Sequence, residues 1–281
     1  QGLYPEQLGP AFLRVYKSIV DRRIAAKHSG DKNTANTLKI VINGSFGKLG
    51  SMWSVLYAPQ LLIQVTLTGQ LSLLMLIEAF ELNGVKVISA NTDGIVVKYP
   101  DHMQDFVDNM IKWWESVTGF EMESNYYDKL YSANVNNYVA VEGPDEEGNV
   151  DIKRKGWFAK TGLQKNCTGE IIMEAVCECL AHGTPVSRTI RNCNDIRKFI
   201  ILRAVKGGAV WNGEFLGKVV RWYLSTNEET PEIIYANTGN RVAGSAGGVP
   251  IMTLPDKIPD DIDYDAYIAK AEKYLEDMGY A

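Results

Sequence analysis

Between Val85 and Val97 the chain carries β-favouring residues on both sides of Asn91-Thr92-Asp93-Gly94: Val85, Val87 and Ile88 lead in, and Ile95, Val96 and Val97 lead out. Two such runs joined by so few turn-forming residues leave room for a hairpin. That hairpin holds one carboxylate, Asp93, between two apolar strands. Hard cations take oxygen ligands, and a carboxylate fixed by rigid strands suits a divalent ion. An ordinary Asn/Asp/Gly turn is the simpler reading of these four residues alone, so their surroundings decide.

A chain of 281 residues that is 46% hydrophobic can bury a substantial core and divide into two or three lobes. It starts with Gln1, which is expected of a fragment or a processed product. No basic leader followed by an apolar core is visible, so secretion is not indicated and a cytoplasmic location is expected. The stretch Leu61–Phe80 is interrupted by Gln64, Thr66, Thr68, Gln70, Ser72 and Glu78, which predicts a buried core helix and no membrane span. Cys167, Cys177, Cys179 and Cys193 form no CxxC pair and have no His cluster beside them, so they read as reduced structural thiols. The net charge of −5 argues against nucleic acid, but its distribution does not. Residues 1–50 hold eight Lys/Arg against three Asp/Glu, and residues 188–206 hold six against one. Local basic patches set phosphate binding.

Taken in order, apolar residues at Phe12, Leu13, Tyr16, Ile19, Val20 and Ile24 predict a helix over 10–26. After a break at Ser29-Gly30-Asp31, a second helix is expected over 33–48, antiparallel to the first because the link is short. Arg23 and Lys27 share one helix face, and Lys39 and Asn43 share another, so four polar groups can surround one polyanion. A helix over 60–82 ending at Asn83-Gly84 precedes the hairpin. A helix over 101–117, capped by Asp101, is expected to bury Phe106, Met110, Trp113, Trp114 and Val117. Strands are expected over 122–130, 134–141 and 150–158, with an acidic turn over 142–149. From Gln164 the texture turns helical, over 170–182, 195–205 and around 216–224. A mobile or DNA-facing loop is expected over 225–248, and a last helix over 265–278.

The second helix carries Lys39-x-x-x-Asn43-Gly44-Ser45-Phe46-Gly47. This resembles the Lys-x3-Asn-Ser-x-Tyr-Gly motif of family B DNA polymerases, with Gly44 for Ser and Phe46 for Tyr. The resemblance implies a fingers helix in which Lys39 meets the incoming triphosphate while Asn43, Phe46 and Gly47 line the nascent base pair. Arg23 and Lys27 fall where that family places its other triphosphate cations. A triphosphate needs several cations, and an aromatic ring offers a sequence-blind surface to a base. Asn91-Thr92-Asp93-Gly94 is similar to the family's Asp-Thr-Asp-Ser palm motif, with the metal-binding second Asp retained as Asp93 and Asn91 replacing the first. Asn136-Asn137-Tyr138 and Lys155-Gly156 match, in part, its template–primer motifs. Lys153, Arg154 and Lys155 are then expected to make up the phosphate contact that Asn136 lacks.

The resemblance implies an α+β right-hand fragment of phage-like, viral type: fingers helices over 1–50, the C-terminal portion of an antiparallel β palm over 51–162, and a mostly helical thumb over 163–281. Lys218 and Arg221, with Arg188, Arg191, Arg197 and Arg203, are expected to grip duplex phosphates there. It implies primer–template DNA and dNTPs as partners and two Mg2+ ions, with Asp93 as one ligand and the second carboxylate outside this chain. An N-terminal polymerase and exonuclease part is the expected partner. The alternative is a non-catalytic DNA- or partner-binding subunit that kept the fold, which Asn91 and Asn136 favour. A reverse transcriptase would carry adjacent Asp residues in this hairpin, and none occurs.

Overall fold

Asp31 starts the second of two long helices by accepting the Thr34 backbone N–H at 3.0 Å, which supplies one of the partners that a helix N-terminus lacks. In the computed structural model, which describes residues 3–148, 150–163 and 167–280, α1 (Ala11–His28) and α2 (Lys32–Lys48) form an antiparallel pair. The Tyr16 hydroxyl donates to the Ile42 carbonyl across it at 3.4 Å. Phe12, Leu13, Tyr16, Ile19, Val20 and Arg23 form the half-buried stripe of α1, while Ile24 is exposed. The chain divides into two compact units, residues 1–123 and 124–281. Gln164 and Asn149, at the edges of two expected segments, lie outside the described residues.

In the first unit, α3 (Pro59–Leu82) ends at Asn83 and Gly84, whose φ of 81° reverses the chain into β1 (Lys86–Asn91) and β2 (Gly94–Lys98). Glu81 accepts the Val87 N–H at 2.6 Å and ties the helix end to the strand start. Then comes α4 (Gln104–Thr118), entered through a 3-10 turn over Asp101–Met103. Asp101 therefore lies in that turn and does not cap α4. Leu76, Phe80, Val85, Val107 and Trp114 make the core, with the strand residues Val87, Ile95 and Val97 packed against it. Trp114 donates from Nε1 to the Ser72 carbonyl at 2.6 Å. Trp113 and Val117, expected inside, are exposed, and Val107 and Ile111 take the inward positions.

α3 also departs from the expected buried helix. Its buried residues are Leu61, Leu73, Leu76 and Phe80, whereas Ile63, Leu67, Leu71 and Leu74 are exposed. By length and composition alone it is long and apolar enough to cross a membrane. The hairpin and α4 cover its C-terminal half, and near its start Leu61 packs with Leu49 and Ala58.

The second unit begins with a three-stranded antiparallel sheet, β3 (Lys129–Asn134), β4 (Asn137–Val141) and β5 (Ile152–Lys155), in that order. α5 (Glu170–His182) lies under it, followed by the short α6 (Val186–Arg191). Of the two segments expected as helices, 195–205 holds only a 3-10 turn over Ile196–Phe199 before a strand begins at Ile201, and 216–224 lies within a strand. β6 (Ile201–Trp211) and β7 (Glu214–Leu224) pair antiparallel around Asn212-Gly213, both at positive φ (48° and 84°). That is the geometry of a two-residue hairpin turn. β8 (Ile234–Tyr235) and β9 (Gly248–Pro250) complete a four-stranded sheet in the order β8-β6-β7-β9. The C-terminal region is thus a mix of helix and sheet, and the overall class is α+β with antiparallel sheets.

The polar segment 225–248, expected as a mobile loop, is pinned instead: Ile233 and Val242 are fully buried, and the Ser245 hydroxyl donates to the Val242 carbonyl at 2.8 Å. α7 (Tyr264–Asp277) is capped by Asp263, which accepts the Ala266 N–H at 2.9 Å. Tyr267 on α7 is fully buried. Its hydroxyl accepts the Leu224 N–H at 2.9 Å and donates to the Phe199 carbonyl at 2.7 Å. Desolvation pushes this phenol's pKa above its ordinary value. Tyr267→Phe leaves both backbone groups buried and unpaired at nearly constant volume, so the second unit is expected to lose about 1–3 kcal/mol. Urea unfolding of the full chain checks this; an unchanged midpoint counts against the hydroxyl as a fastening point.

Candidate functional site

On α2 the residues Lys39, Asn43, Phe46 and Gly47 recur at helical spacing, share one face, and are all exposed. Phe46 is 39% exposed, an unusual position for an aromatic ring beside two glycines. A Cβ at Gly44 or Gly47 would meet nothing within 4 Å, so internal packing does not require glycine at either place. Each glycine costs a helix roughly 1 kcal/mol relative to alanine. What they provide is bare backbone next to the Lys39–Phe46 face.

α1 contributes two cations with different surroundings. Arg23 lies in the half-buried stripe, and its Nε is buried without a hydrogen-bond partner. A guanidinium nitrogen in that condition is costly unless an acceptor reaches it. Lys27 pairs with Glu123 at 3.2 Å, but both are mostly exposed, and such pairs contribute little and exchange easily. The sequence did not signal the buried Arg23 Nε, since it depends on how α1 packs.

Asp93 stands at the tip of the β1–β2 hairpin. The register pairs Asn91 with Gly94, leaving Thr92 and Asp93 as the two-residue turn. The Asp93 N–H donates to the Asn91 carbonyl at 2.6 Å, closing a γ-turn around Thr92, whose φ is 50°. A β-branched residue at positive φ is strained, and strain of this kind concentrates at functional positions. The Thr92 hydroxyl donates to the Asn91 side-chain oxygen at 3.0 Å, so Asn91 fastens the turn. The Asp93 carboxylate is exposed. Among the described residues no group of three or more His, Cys, Asp or Glu is arranged to hold a metal ion. One carboxylate does not make a two-metal site, so this chain's described residues fit such a site only as one contributor.

In the second unit the β4–β5 ladder sets Tyr138 opposite Lys155 and Ala140 opposite Lys153. Lys153 and Lys155 therefore share the exposed face with Tyr138. Lys153 donates to the Tyr127 hydroxyl at 2.9 Å, a bond that raises its pKa. The Lys155 Nζ lies 5.7 Å from the Tyr138 ring centroid, a cation–π distance. Gly156 has φ 65°, and a Cβ there would come within 2.1 Å of the Asn137 side-chain oxygen. That oxygen instead accepts the Trp157 N–H at 2.9 Å and locks the strand end to the β3–β4 turn. Arg154 separates from its neighbours: it pairs with Val139 and projects from the opposite, α5-facing side.

The remaining basic residues are more scattered than expected. In a helix Lys218 and Arg221 would share a face; in β7, three residues apart, they project from opposite sides. Arg191 pairs with Asp265, Arg197 with Asp195, and Arg203 donates to the Ala243 carbonyl at 2.7 Å. Arg188 is exposed. The hairpin behind this outcome was legible: Asn212-Gly213 between Val210-Trp211 and Phe215-Leu216 is a strong short-range turn signal.

No family model matches the chain. Over 118 residues it is 27% identical to DNA polymerase 1 of Saccharolobus solfataricus, a match that covers 41% of this chain and 13% of that protein. The chain thus spans well under two thirds of that relative's length. At this coarse level, over part of its length, the chain is related to a DNA polymerase.

Proposed function

We propose that this chain is the C-terminal portion of a family B DNA polymerase of phage-like type, which adds nucleotides from dNTPs to a primer 3′ end under template direction. The observation that carries the reading is the exposed Lys39–Asn43–Phe46–Gly47 face on α2, in the same compact unit as the strained, carboxylate-bearing turn at Asp93. Likeness to a DNA polymerase supports it. In this reading residues 1–50 are fingers, 51–162 palm and 163–281 thumb. Lys39, Lys27 and Arg23 receive the triphosphate. Lys153, Lys155, Tyr138 and Gly156 form a DNA-contacting strip, with Lys218 and Arg221 as separate phosphate contacts. Asp93 would be one ligand to two Mg2+ ions, with the others supplied by an N-terminal part, and the ions would supply charge neutralisation of the phosphoryl group as the primer 3′ oxygen attacks it. The exposed apolar residues of α3 fit a palm whose remaining strands come from that N-terminal part. A second reading, a non-catalytic DNA- or partner-binding subunit, is favoured by Asn91, which replaces a carboxylate and instead fastens the turn.

In the completed polymerase, Lys39→Ala is expected to raise the dNTP KM and lower kcat by about a hundredfold, because Lys39 meets charge developing on the leaving pyrophosphate. Arg23→Ala is expected mainly to raise KM. Single-nucleotide incorporation kinetics separate the two, and unchanged kinetics for Lys39→Ala remove Lys39 from the site. Replacing Lys153 and Lys155 with alanine should flatten the log–log salt dependence of primer–template binding by about 1.8, from two lost phosphate contacts. An unaltered slope in that titration leaves the two lysines as an edge device against strand pairing.

Asp93→Asn changes one charge at nearly constant shape. The hairpin should still form, thermal unfolding should stay close to its original midpoint, and primer–template should still bind. Extension by the completed polymerase should fall by orders of magnitude, while this chain without its N-terminal part should extend nothing. Robust extension by the Asn variant would falsify the assignment of Asp93; loss of extension only in variants that also unfold would leave the second reading in place.

A further inference from the structure

The β3–β4–β5 sheet has chemically different faces. Lys153 and Lys155 lie on the exposed one; Arg154 lies on the other, with its side chain 14% exposed. It pairs with Glu178 Oε1 at 3.8 Å, beyond hydrogen-bond range. Among the described residues the guanidinium has no hydrogen-bond partner, although it offers five donors. None of its nitrogens is buried without a partner, so its free donors are open to solvent or to a ligand. Arg154 lines a cleft of about 420 Å3 together with Lys160, Glu178 and His182, over an apolar floor of Val150, Ile152 and Ala159. Lys160 is exposed and forms no ion pair among the described residues. The depression is wide open to solvent.

We infer that this cleft is a second anion site, distinct from the Lys153–Lys155 face, which takes the phosphate of a nucleotide. Arg154 and Lys160 are two permanent cations against one carboxylate, so the cleft is net positive even with His182 neutral. Glu178 lies 3.8 Å from both Arg154 and His182, so it holds part of the guanidinium's field without using its donors. A phosphate oxygen pair matches the planar guanidinium fork better than a single distant carboxylate oxygen does. The apolar floor suits a sugar or a base edge. The phosphate source is either a free nucleotide or one residue of a single strand, since both present the same group. This inference goes beyond the polymerase reading and does not require catalysis.

Calorimetric titration of the full chain with inorganic phosphate, dTMP and an oligothymidylate octamer tests it. Arg154→Gln should weaken dTMP binding by at least about tenfold, the loss expected of one charge-assisted contact. Lys160→Ala should weaken it several-fold, and Lys270→Ala, a surface change on α7, should not. Lys160 is unpaired and exposed, so its variant keeps the fold if Arg154→Gln does not, and melting curves verify this. Phosphate binding as tightly as dTMP, with the same variant sensitivity, supports a site that reads the phosphate alone. Tighter binding of the octamer, again lost in both variants, supports a strand as the natural source. Absence of binding by all three probes at millimolar concentration, or affinities unmoved by both substitutions, overturns the site.

Discussion

The contact on which the first unit depends is the packing of Phe80, Val85 and Trp114 where α3 turns into the hairpin. Val85 is fully buried and Phe80 is 1% exposed, and each such side chain contributes roughly 1.5–3 kcal/mol by leaving water. Gly84 makes the reversal possible, and the Trp114 bond to Ser72 fixes α4 against the same helix. Everything that aims Asp93 passes through this point. The strained Thr92 turn is held at the end of two strands whose apolar sides are already committed, so its local cost is met by packing elsewhere.

The second unit is organised by burial of a different kind. One tyrosine hydroxyl joins the end of β7 to the segment before β6, and the α7 helix that carries it packs into the same core as α5. That core also receives the inner face of the β3–β4–β5 sheet through Val139 and Val141. A sheet packed on one side must present alternate residues to two environments. Three consecutive basic residues on β5 therefore divide into two surface lysines and one interior arginine. Their surroundings divide with them: the lysines stand on the exposed face, whereas Arg154 lies beside Glu178 on the face turned to α5.

Electrostatics explains why an acidic chain remains compatible with phosphate ligands. Several ion pairs among the described residues are surface pairs that contribute little stability, such as Lys17 with Asp21 and Lys27 with Glu123. Two arginines stand apart from these: the Arg23 Nε is buried with no hydrogen-bond partner among the described residues, and Arg154 meets Glu178 at 3.8 Å without a hydrogen bond. Asp93 is the reverse case, a carboxylate presented by strain with no second carboxylate arranged beside it among the described residues. A lone carboxylate cannot by itself hold two divalent ions against a triphosphate.

The elements whose signals are local were legible in the sequence. The paired helices, the break at Ser29–Asp31, the Asn83-Gly84 stop and the hairpin at Asp93 follow from caps, glycine conformations and periodicity within a few residues. So does the shared face of Lys39, Asn43 and Phe46, because helical spacing alone places it. The β6–β7 hairpin was mistaken for helix although Asn212-Gly213 marked it, since apolar runs around Ile201 and Val219 suit either structure without their turn. Only tertiary structure decided which residues were inside: Trp113 turned out and Val107 in, Ile63, Leu67, Leu71 and Leu74 of α3 were left exposed, and the 225–248 segment was pinned by Ile233 and Val242. It also decided that Arg154 faces α5 while its neighbours face solvent. Local sequence carries the period of a strand, but which of its two faces is buried depends on what packs against it from elsewhere in the chain.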